Sequence, residues 1–285
     1  MCETCGCSIP HEQWSVNTIS RTHEPFGQHD HDNAHTSEHT THGTATVTIL
    51  RDLMSENDHR AAHNLAHFRE HGVLAINLMS SPGAGKTSLL EATIQHLRGK
   101  ARIAVIEGDL ETENDTRRIR AQGAPAVQIT TGGACHLDAH MVHHALHRLD
   151  LTDIDILFIE NVGNLVCPAS FDLGQHHNVV LLSVAEGDDK PAKYPVMFRG
   201  ADLMLLTKTD LLPYLDEFDP DRAENYLRAL ANTAPVIRLS TRAGNGQVDS
   251  GETNGVAAWI DWLLTVRKKV CFRPNPDKPE PGFIV

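Results

Sequence analysis

The chain has 285 residues, 40% of them hydrophobic, so it can bury a large core as one α/β domain or as two smaller ones. Its formal net charge of −12 argues against a nucleic-acid-binding protein. No segment has the apolar length of a membrane span, and the polar, thiol-rich start lacks the features of a secretory signal, so we expect a cytoplasmic protein with no membrane partner.

The first 45 residues differ in composition from the rest. The stretch 23–42 holds six histidines and almost no aliphatic residues, which cannot form a core. We therefore predict that residues 1–45 are a disordered metal-binding region. Its accessory metal ligands are His23, His29, His31, His35, His39 and His42.

Three of the six cysteines lie at the very start of this region, at Cys2, Cys5 and Cys7. Thiolates at a free chain end are too mobile to serve as core residues. Together they can surround one ion, with the α-amine as a fourth ligand where it is free. Such a set suits square-planar Ni(II), and Zn(II) accepts it tetrahedrally. The alternative is a redox-active or frayed end.

Residues 46–266 are predicted to form one domain of alternating strands and helices. A helix with one apolar face is predicted over 47–70. Buried strands are predicted at 73–79, 101–107, 126–130, 155–160, 178–184, 201–207 and 235–239. Further helices are predicted at 87–98, 113–122, 136–149 and 219–231. This order indicates a doubly wound, mainly parallel sheet, followed by a Pro-rich tail over 267–285.

A phosphate-binding loop follows the first core strand. The sequence SSPGAGKT fits the P-loop pattern GxxxxGK[ST], except that Ser80 takes the first glycine position. Lys86 would reach the β- and γ-phosphates, and Thr87 would ligate Mg²⁺. The predicted nucleotide-binding residues of this loop are Gly83, Ala84, Gly85, Lys86, Thr87 and Ser88.

The tetrapeptide TKTD at 207–210 follows a later strand, where a guanine-reading NKxD motif would lie. The Asp210 carboxylate can accept hydrogen bonds from guanine N1 and N2, which adenine does not supply, while the Lys208 stem covers the base. GTP is therefore favoured over ATP.

Two acidic strand ends complete the predicted phosphate site. Glu160 and Gly163 lie where a switch would meet the γ-phosphate and Mg²⁺. Asp109 ends another strand and would hold a Mg²⁺-bound water or orient the attacking one, although a solvated acidic loop is an equal alternative. The predicted catalytic residues are Lys86, Asp109 and Glu160, and the predicted Mg²⁺ ligands are Thr87, Asp109 and Glu160.

A second metal site is predicted beside this switch. Cys167 lies four residues beyond Gly163, and Cys135 and His136 follow the third strand. Loops at the carboxyl ends of parallel strands gather on one edge, so these residues can meet near the nucleotide. Three ligands leave a tetrahedral site open, so water or a second subunit would complete it. The alternative is that the cysteines are small buried residues.

Two histidine rows remain. His59, His63, His67 and His71 recur every four residues on one helix, and His140, His143, His144 and His147 follow on another. Histidines at i and i+4 can hold a metal ion together, but we expect the first row to be a solvated face and most of the second to lie on the surface. The segment 186–198 is expected to be a mobile loop.

Several motifs together resemble one family. They are MCxxCGC, SSPGAGKT, EGDLETENDTRRI, TGGACHLDA, ENVGNLVCP, EGDDKPAKYPVMF and TKTDLLPYL. Because these motifs occur together in this order, the chain resembles the hydrogenase nickel-incorporation GTPases of the HypB family. The resemblance extends from the first residue to about residue 265.

The resemblance implies a slow GTPase that forms a GTP-dependent homodimer. With a zinc-containing partner chaperone, it would pass nickel to the large subunit of [NiFe] hydrogenase. It implies a high-affinity Ni(II) site at Cys2, Cys5 and Cys7 and a Ni(II) or Zn(II) site at Cys135, His136 and Cys167. It also aligns Ser240 with the base-contacting loop, although Thr241 and Arg242 depart from the usual pattern there.

Two other functions are kept as alternatives. A nickel storage protein would use the histidine tract as its main site and the GTPase domain as a secondary one. A urease or cobalamin accessory GTPase is disfavoured by the terminal cysteines.

Overall fold

The computed structural model describes residues 15–17, 42–109, 113–242 and 255–270, with side chains from residue 54 onward. The predicted ligands Cys2, Cys5 and Cys7, the histidines at 23–39 and the tail from 271 lie outside the described residues. The side chain of His42 also lies outside them.

All seven predicted strands are present as a parallel sheet. Their bounds are β2 Leu74–Met79, β3 Ile103–Asp109, β4 Ala126–Thr130, β5 Ile156–Glu160, β6 His177–Ser183, β7 Leu203–Thr207 and β8 Val236–Arg238. The strands lie side by side in the order β4-β3-β5-β2-β6-β7-β8. This arrangement confirms the prediction of a doubly wound parallel sheet. The prediction succeeded because these strands are mainly apolar, as is typical of strands that are buried on both faces.

An additional edge strand, β1, was not predicted. Ser15–Asn17 pairs antiparallel with β4, and Ser15 lies opposite Thr130 at the carboxyl end of that strand. Three residues within a polar region carry no periodic signal, so sequence patterning does not reveal this pairing.

Helices cover both faces of the sheet. They are α1 His42–His71, α2 Lys86–Leu97, α3 Asn114–Ala121, α4 Ala139–Leu146, α5 Lys190–Lys193, α6 Pro195–Arg199, α7 Pro220–Ala229 and α8 Gly255–Val270. Helices α2, α3 and α8 share one core with the strands. On the opposite face, α1 and α4 share a second core, and α6 and α7 a third. No described helix combines the length and the apolar character needed to cross a membrane.

Alternation along the central strand explains this layering. Leu74, Ile76 and Leu78 belong to the core beneath α2 and α8, whereas Ala75 and Met79 belong to the cores on the other face. Successive side chains of a strand point to opposite faces, so one strand joins both cores. Burial of each leucine, isoleucine or methionine side chain among them contributes about 1.5–3 kcal/mol.

The segment 186–198 differs from its prediction as a loop. It contains α5 and α6, and Asp188 fixes it to α7 by accepting hydrogen bonds from Arg222 Nε at 2.8 Å and from the backbone N–H of Asp219 at 2.9 Å. Met197 and Phe198 are buried in the third core. Pro191 and Pro195 stand in the first turns of these helices, where proline is tolerated because that N–H has no helical partner.

Candidate functional site

The P-loop connects the central strand β2 to α2. Gly83 and Gly85 have φ values of 74° and 104°, in the left-handed region that glycine adopts without a steric penalty. This turn directs the chain into α2, which begins at Lys86. The first backbone N–H groups of a helix have no helical partner, so this end of α2 is suited to bind phosphate.

The Lys86 side chain is buried at the base of this loop. Its Nζ donates a hydrogen bond to Ser80 Oγ at 3.1 Å. Ser80, the departure from the glycine pattern, is therefore a partner of the P-loop lysine. Burial lowers the pKa of Lys86, and the nearby Glu160 carboxylate opposes that shift.

Glu160 ends β5 beneath the loop, as predicted. Thr87 Oγ1 donates a hydrogen bond to Glu160 Oε1 at 2.8 Å, while Glu160 Oε2 is buried and has no hydrogen-bond partner among the described residues. Burial raises the pKa of Glu160 to about 7, and Lys86 opposes the shift. A hydroxyl and a buried carboxylate with a spare oxygen are the donor types that Mg²⁺ prefers, so these residues fit that ion.

Glu107 is a functional candidate that the sequence analysis missed. It lies opposite Glu160 in the β3–β5 register, is buried, and accepts a hydrogen bond from the Thr116 hydroxyl. Burial raises its pKa to about 8, with a smaller contribution from Glu160. The one feature of the sequence that could have indicated a functional role for Glu107 is a carboxylate inside a mainly apolar strand.

Two cavities lie around the P-loop and share Gly83, Gly85 and Ser88 in their lining. The phosphate-end cavity has a volume of about 360 Å³. Its lining includes the predicted residues Lys86, Thr87, Asp109, Glu160 and Gly163 and, not predicted, Glu107, Asp115 and Arg118.

The base-end cavity has a volume of about 330 Å³, and Ala84, Lys208, Asp210 and Ser240 line it. Asp210 accepts a hydrogen bond from the Ser240 hydroxyl, which orients the carboxylate that is predicted to bind guanine. Thr207 Oγ1 donates a hydrogen bond to the Ala84 carbonyl at 2.7 Å. Thr207, which replaces the usual asparagine, thus joins the base-reading turn to the P-loop.

Cys135, His136 and Cys167 are brought together as predicted. Their ligand atoms all lie within 4.8 Å of one another. The two Sγ atoms are 2.9 Å apart, and Cys135 Sγ is 3.7 Å from His136 Nδ1. Both cysteines are partly exposed, so they are not buried core residues. Two thiols and an imidazole form three-quarters of a tetrahedral Zn(II) set and also suit Ni(II).

The protonation of these three side chains makes metal binding depend on pH. The hydrogen bond to Cys167 raises the pKa of Cys135, whereas burial lowers the pKa of His136. The imidazole is therefore ready to bind a metal ion, while the thiols must first lose protons. Metal binding at this site should release protons and strengthen as the pH rises.

One short loop joins the candidate nucleotide site to the candidate metal site. Gly163 packs so closely on the P-loop that an added Cβ would lie 2.8 Å from Pro82 Cα. Asn164 Nδ2 donates a hydrogen bond to the Cys135 carbonyl at 3.3 Å, and Cys167 follows three residues later. A shift of this loop against the P-loop would therefore also alter the metal ligands.

The first histidine row is not the solvated face that we expected, whereas the second row lies mostly at the surface as expected, with His143 as its buried member. His143 is only 2% exposed, and His63 and His67 of α1 pack against it with ring centroids 4.9 and 6.1 Å away. The prediction for the first row failed because the surroundings of His63 and His67 depend on how α1 docks on α4, which the spacing within one helix does not specify.

Comparison with known proteins agrees with this arrangement. A family model for the CobW/HypB/UreG nucleotide-binding domain matches residues 74–238, from β2 to β8. Over 217 residues the chain is 55% identical to the hydrogenase maturation factor HypB of Azotobacter vinelandii, covering 76% of this chain and 68% of that protein. The chain belongs to the HypB family. The resemblance drawn from the motifs is thereby confirmed.

Other HypB proteins extend the match. HypB of Escherichia coli strain K12 is 46% identical over 250 residues, covering 88% of this chain and 83% of that one. The crystal structure of HypB from Helicobacter pylori in complex with nickel superposes with a TM-score of 0.69 at 38% identity, covering 75% of this chain and 96% of the other. The β2–β8 framework is therefore that of a HypB-family P-loop domain.

Proposed function

We propose that this protein hydrolyses GTP and delivers Ni(II) during maturation of [NiFe] hydrogenase, with its nucleotide state controlling the site at Cys135, His136 and Cys167. The observation that carries the proposal is the loop from Glu160 to Cys167. It begins at the Thr87–Glu160 pair of the nucleotide site and ends at a thiol of the metal site.

Hydrolysis would depend mainly on positioning and on charge neutralisation, as in other P-loop enzymes. Lys86 neutralises charge on the phosphates, and the first amides of α2 hold them. Mg²⁺ bound with the nucleotide would add a second positive charge there, held by Thr87 and Glu160. Asp109, at the end of β3, orients the attacking water. Arg118 lines the phosphate-end cavity, but its guanidinium is paired with Glu91 at 2.6 Å and with Asp115 at 2.9 Å, so it does not act as a free activating finger and hydrolysis would be slow.

The coupling follows from contact between the loop and the P-loop. A γ-phosphate occupies space beside Gly163 and Pro82, so its loss lets the loop move and carries Cys167 away from Cys135. This weakens metal binding after hydrolysis. By reciprocity, a bound metal ion would change the affinity for the nucleotide by the same factor.

Nickel as the cargo is supported by the ligand set and by the nickel complex of the Helicobacter pylori relative. Delivery to hydrogenase is supported by the names of the relatives as hydrogenase maturation factors. A second subunit in a GTP-dependent homodimer would complete the open metal site, and a zinc-containing partner chaperone would act with it. The terminal Cys2, Cys5 and Cys7 would bind Ni(II) with higher affinity.

The deciding experiment measures Ni(II) affinity and oligomeric state of the untagged full chain with GDP and with a non-hydrolysable GTP analogue. We expect the analogue to drive dimerisation and to change the affinity, and Cys167→Ala to remove the change in affinity. Ser170→Ala, an exposed position at the end of the same turn, serves as the control. Identical affinities with both nucleotides in the unmodified protein would refute the coupling.

Nickel storage is the second candidate, favoured by the six histidines at 23–42. Deleting residues 23–42 separates the two functions. If the number of bound Ni(II) ions falls while hydrogenase maturation continues, storage is auxiliary. Loss of maturation in metal-replete cells would make the tract essential.

A further inference from the structure

Outside the nucleotide and cysteine sites, histidines of α1 and α4 form one cluster. His63 and His67 extend from α1, and His143 and the exposed His147 lie at the end of α4. The ring centroids of His143 and His147 are 4.7 Å apart, and those of His63 and His143 are 4.9 Å apart. Four imidazoles thus meet across two helices.

Asn64 fixes the orientation of the buried ring. Its Nδ2 donates hydrogen bonds to the Ala139 carbonyl at 2.8 Å and to the Leu173 carbonyl at 3.1 Å. These two bonds place Asn64 Oδ1 toward His143 Nδ1, at 3.1 Å. An amide oxygen can only accept a hydrogen bond, so His143 Nδ1 must carry a hydrogen and donate the bond. In the neutral ring, Nε2 then has a lone pair.

That lone pair faces a second imidazole nitrogen. His143 Nε2 and His147 Nε2 are 3.3 Å apart. Two nitrogens bound to one tetrahedral ion at about 2.0–2.1 Å are separated by about 3.3 Å, so this spacing matches one edge of such a site. A metal-binding histidine commonly donates its other N–H to a neighbouring oxygen, as His143 does to Asn64.

A third ligand is adjacent. His63 Nδ1 is buried and has no hydrogen-bond partner among the described residues. An unpaired buried nitrogen has lost its water without compensation, and a bound ion would provide that compensation. The His63 side chain would have to rotate to bring this nitrogen to the pair, and water or His67 would complete the coordination.

We propose that His63, His143 and His147 bind one divalent transition-metal ion between α1 and α4. Imidazole ligands suit Zn(II), Ni(II), Co(II) and Cu(II). The ion would fasten α1 to α4 independently of nucleotide and would add one bound metal ion per chain. A competing arrangement lies on α1 alone, where ligand atoms of His67, Glu70 and His71 are within 4.8 Å of one another.

The test is acylation of histidines by diethyl pyrocarbonate in the full chain, with mass spectrometry of each residue, at increasing buffered free Zn(II). The variants are His147→Gln and, as control, His96→Gln on α2, an exposed histidine whose Nδ1 lies 2.8 Å from its own helix carbonyl at Ala92. Circular dichroism establishes that both variants fold.

We expect Zn(II) to slow acylation of His147 and His63 about tenfold. At nine-tenths occupancy only the metal-free tenth of the chains can react at these residues. His147→Gln should abolish the protection of His63, and His96→Gln should retain it. Unchanged acylation of His147 and His63 at Zn(II) concentrations that protect His136 would overturn the proposal. Protection confined to His67 and His71 would also overturn it and place the ion on α1 alone.

Discussion

Asn161 Oδ1 accepts a hydrogen bond from the backbone N–H of Leu137 at 3.2 Å. Asn161 immediately follows the nucleotide-site residue Glu160, and Leu137 immediately follows the metal-site residue His136. A second bond, from Asn161 Nδ2 to Asn77 Oδ1 at 3.2 Å, holds the side chain on the central strand. One buried amide therefore connects the segment after Glu160 to the segment after His136.

Replacing this amide should uncouple the two sites. In Asn161→Ala the buried Leu137 N–H loses its partner, which costs about 1–3 kcal/mol of unfolding free energy. We expect the difference in Ni(II) affinity between the GDP and GTP-analogue states to shrink, measured by competition with a chelator. Thr93→Val is the matched control, because it removes the buried bond from Trp259 Nε1 at 2.8 Å in the core beneath α2. If both variants keep the nucleotide dependence, Asn161 does not carry the coupling.

Lys86→Ala should abolish GTP hydrolysis while leaving metal binding in the GDP state intact. The substitution removes the positive charge that the P-loop supplies to the transferred phosphate, and we expect a rate at least about a hundredfold lower. The measurement is phosphate release under single-turnover conditions. Lys100→Ala, at an exposed position after α2, controls for loss of surface charge. Undiminished turnover in Lys86→Ala would reject the assignment of the P-loop.

Asp210→Asn should exchange guanine for xanthine specificity. The carboxylate would accept two hydrogen bonds from guanine N1 and N2, whereas an amide would donate to the carbonyl that xanthine carries at C2. We expect GTP affinity to fall at least about tenfold, and affinity for xanthosine triphosphate to rise. Titration with fluorescent nucleotides measures both. Asp216→Asn, after the base-reading turn, should change neither affinity.

Glu107 gives a pH-dependent prediction. Its pKa of about 8 in the folded chain lies above its ordinary value of 4.5, so the folded state binds the proton more tightly than the unfolded state. Its contribution to stability is therefore complete below about pH 4.5 and is lost as the pH rises to about 8. Glu107→Gln should raise the unfolding free energy of the nucleotide-free protein at pH 8 by a few kcal/mol, and much less at pH 5.

Urea unfolding at both pH values measures this difference. Glu224→Gln, in a partly exposed ion pair with Arg228, should change the stability by less than about 1 kcal/mol at either pH. Equal effects of Glu107→Gln at pH 5 and pH 8 would contradict the raised pKa.

Sequence patterning predicted the β2–β8 framework because the strands are mainly apolar runs and a helix pattern follows most of them. The P-loop, Glu160 and the Cys135, His136 and Cys167 cluster followed from the same reasoning, since loops after parallel strands meet at one edge. Their exact contacts did not follow. The pairing of Thr207 with Ala84 joins residues 123 positions apart, and no local pattern encodes it.

The remaining misses share one physical cause. The orientation of His143 toward Asn64 depends on docking between α1 and α4, and the burial of Glu107 depends on which strand lies beside β3. The short helices of 190–199 have too few residues for helical periodicity and are held by contacts of Asp188 and Phe198. Tertiary packing determines such features after the elements have formed.

The pairing of Ser15 with Thr130 has a consequence for the terminal cysteines. Seven residues lie between Cys7 and Ser15 in the sequence, so the eight covalent steps keep Cys7 within about 29 Å of the carboxyl end of β4, the strand that leads to Cys135. A tether of this length gives an effective concentration in the millimolar range, whatever the dilution of the protein in the cell. Exchange of an ion between the two thiol groups would therefore be an intramolecular, first-order event.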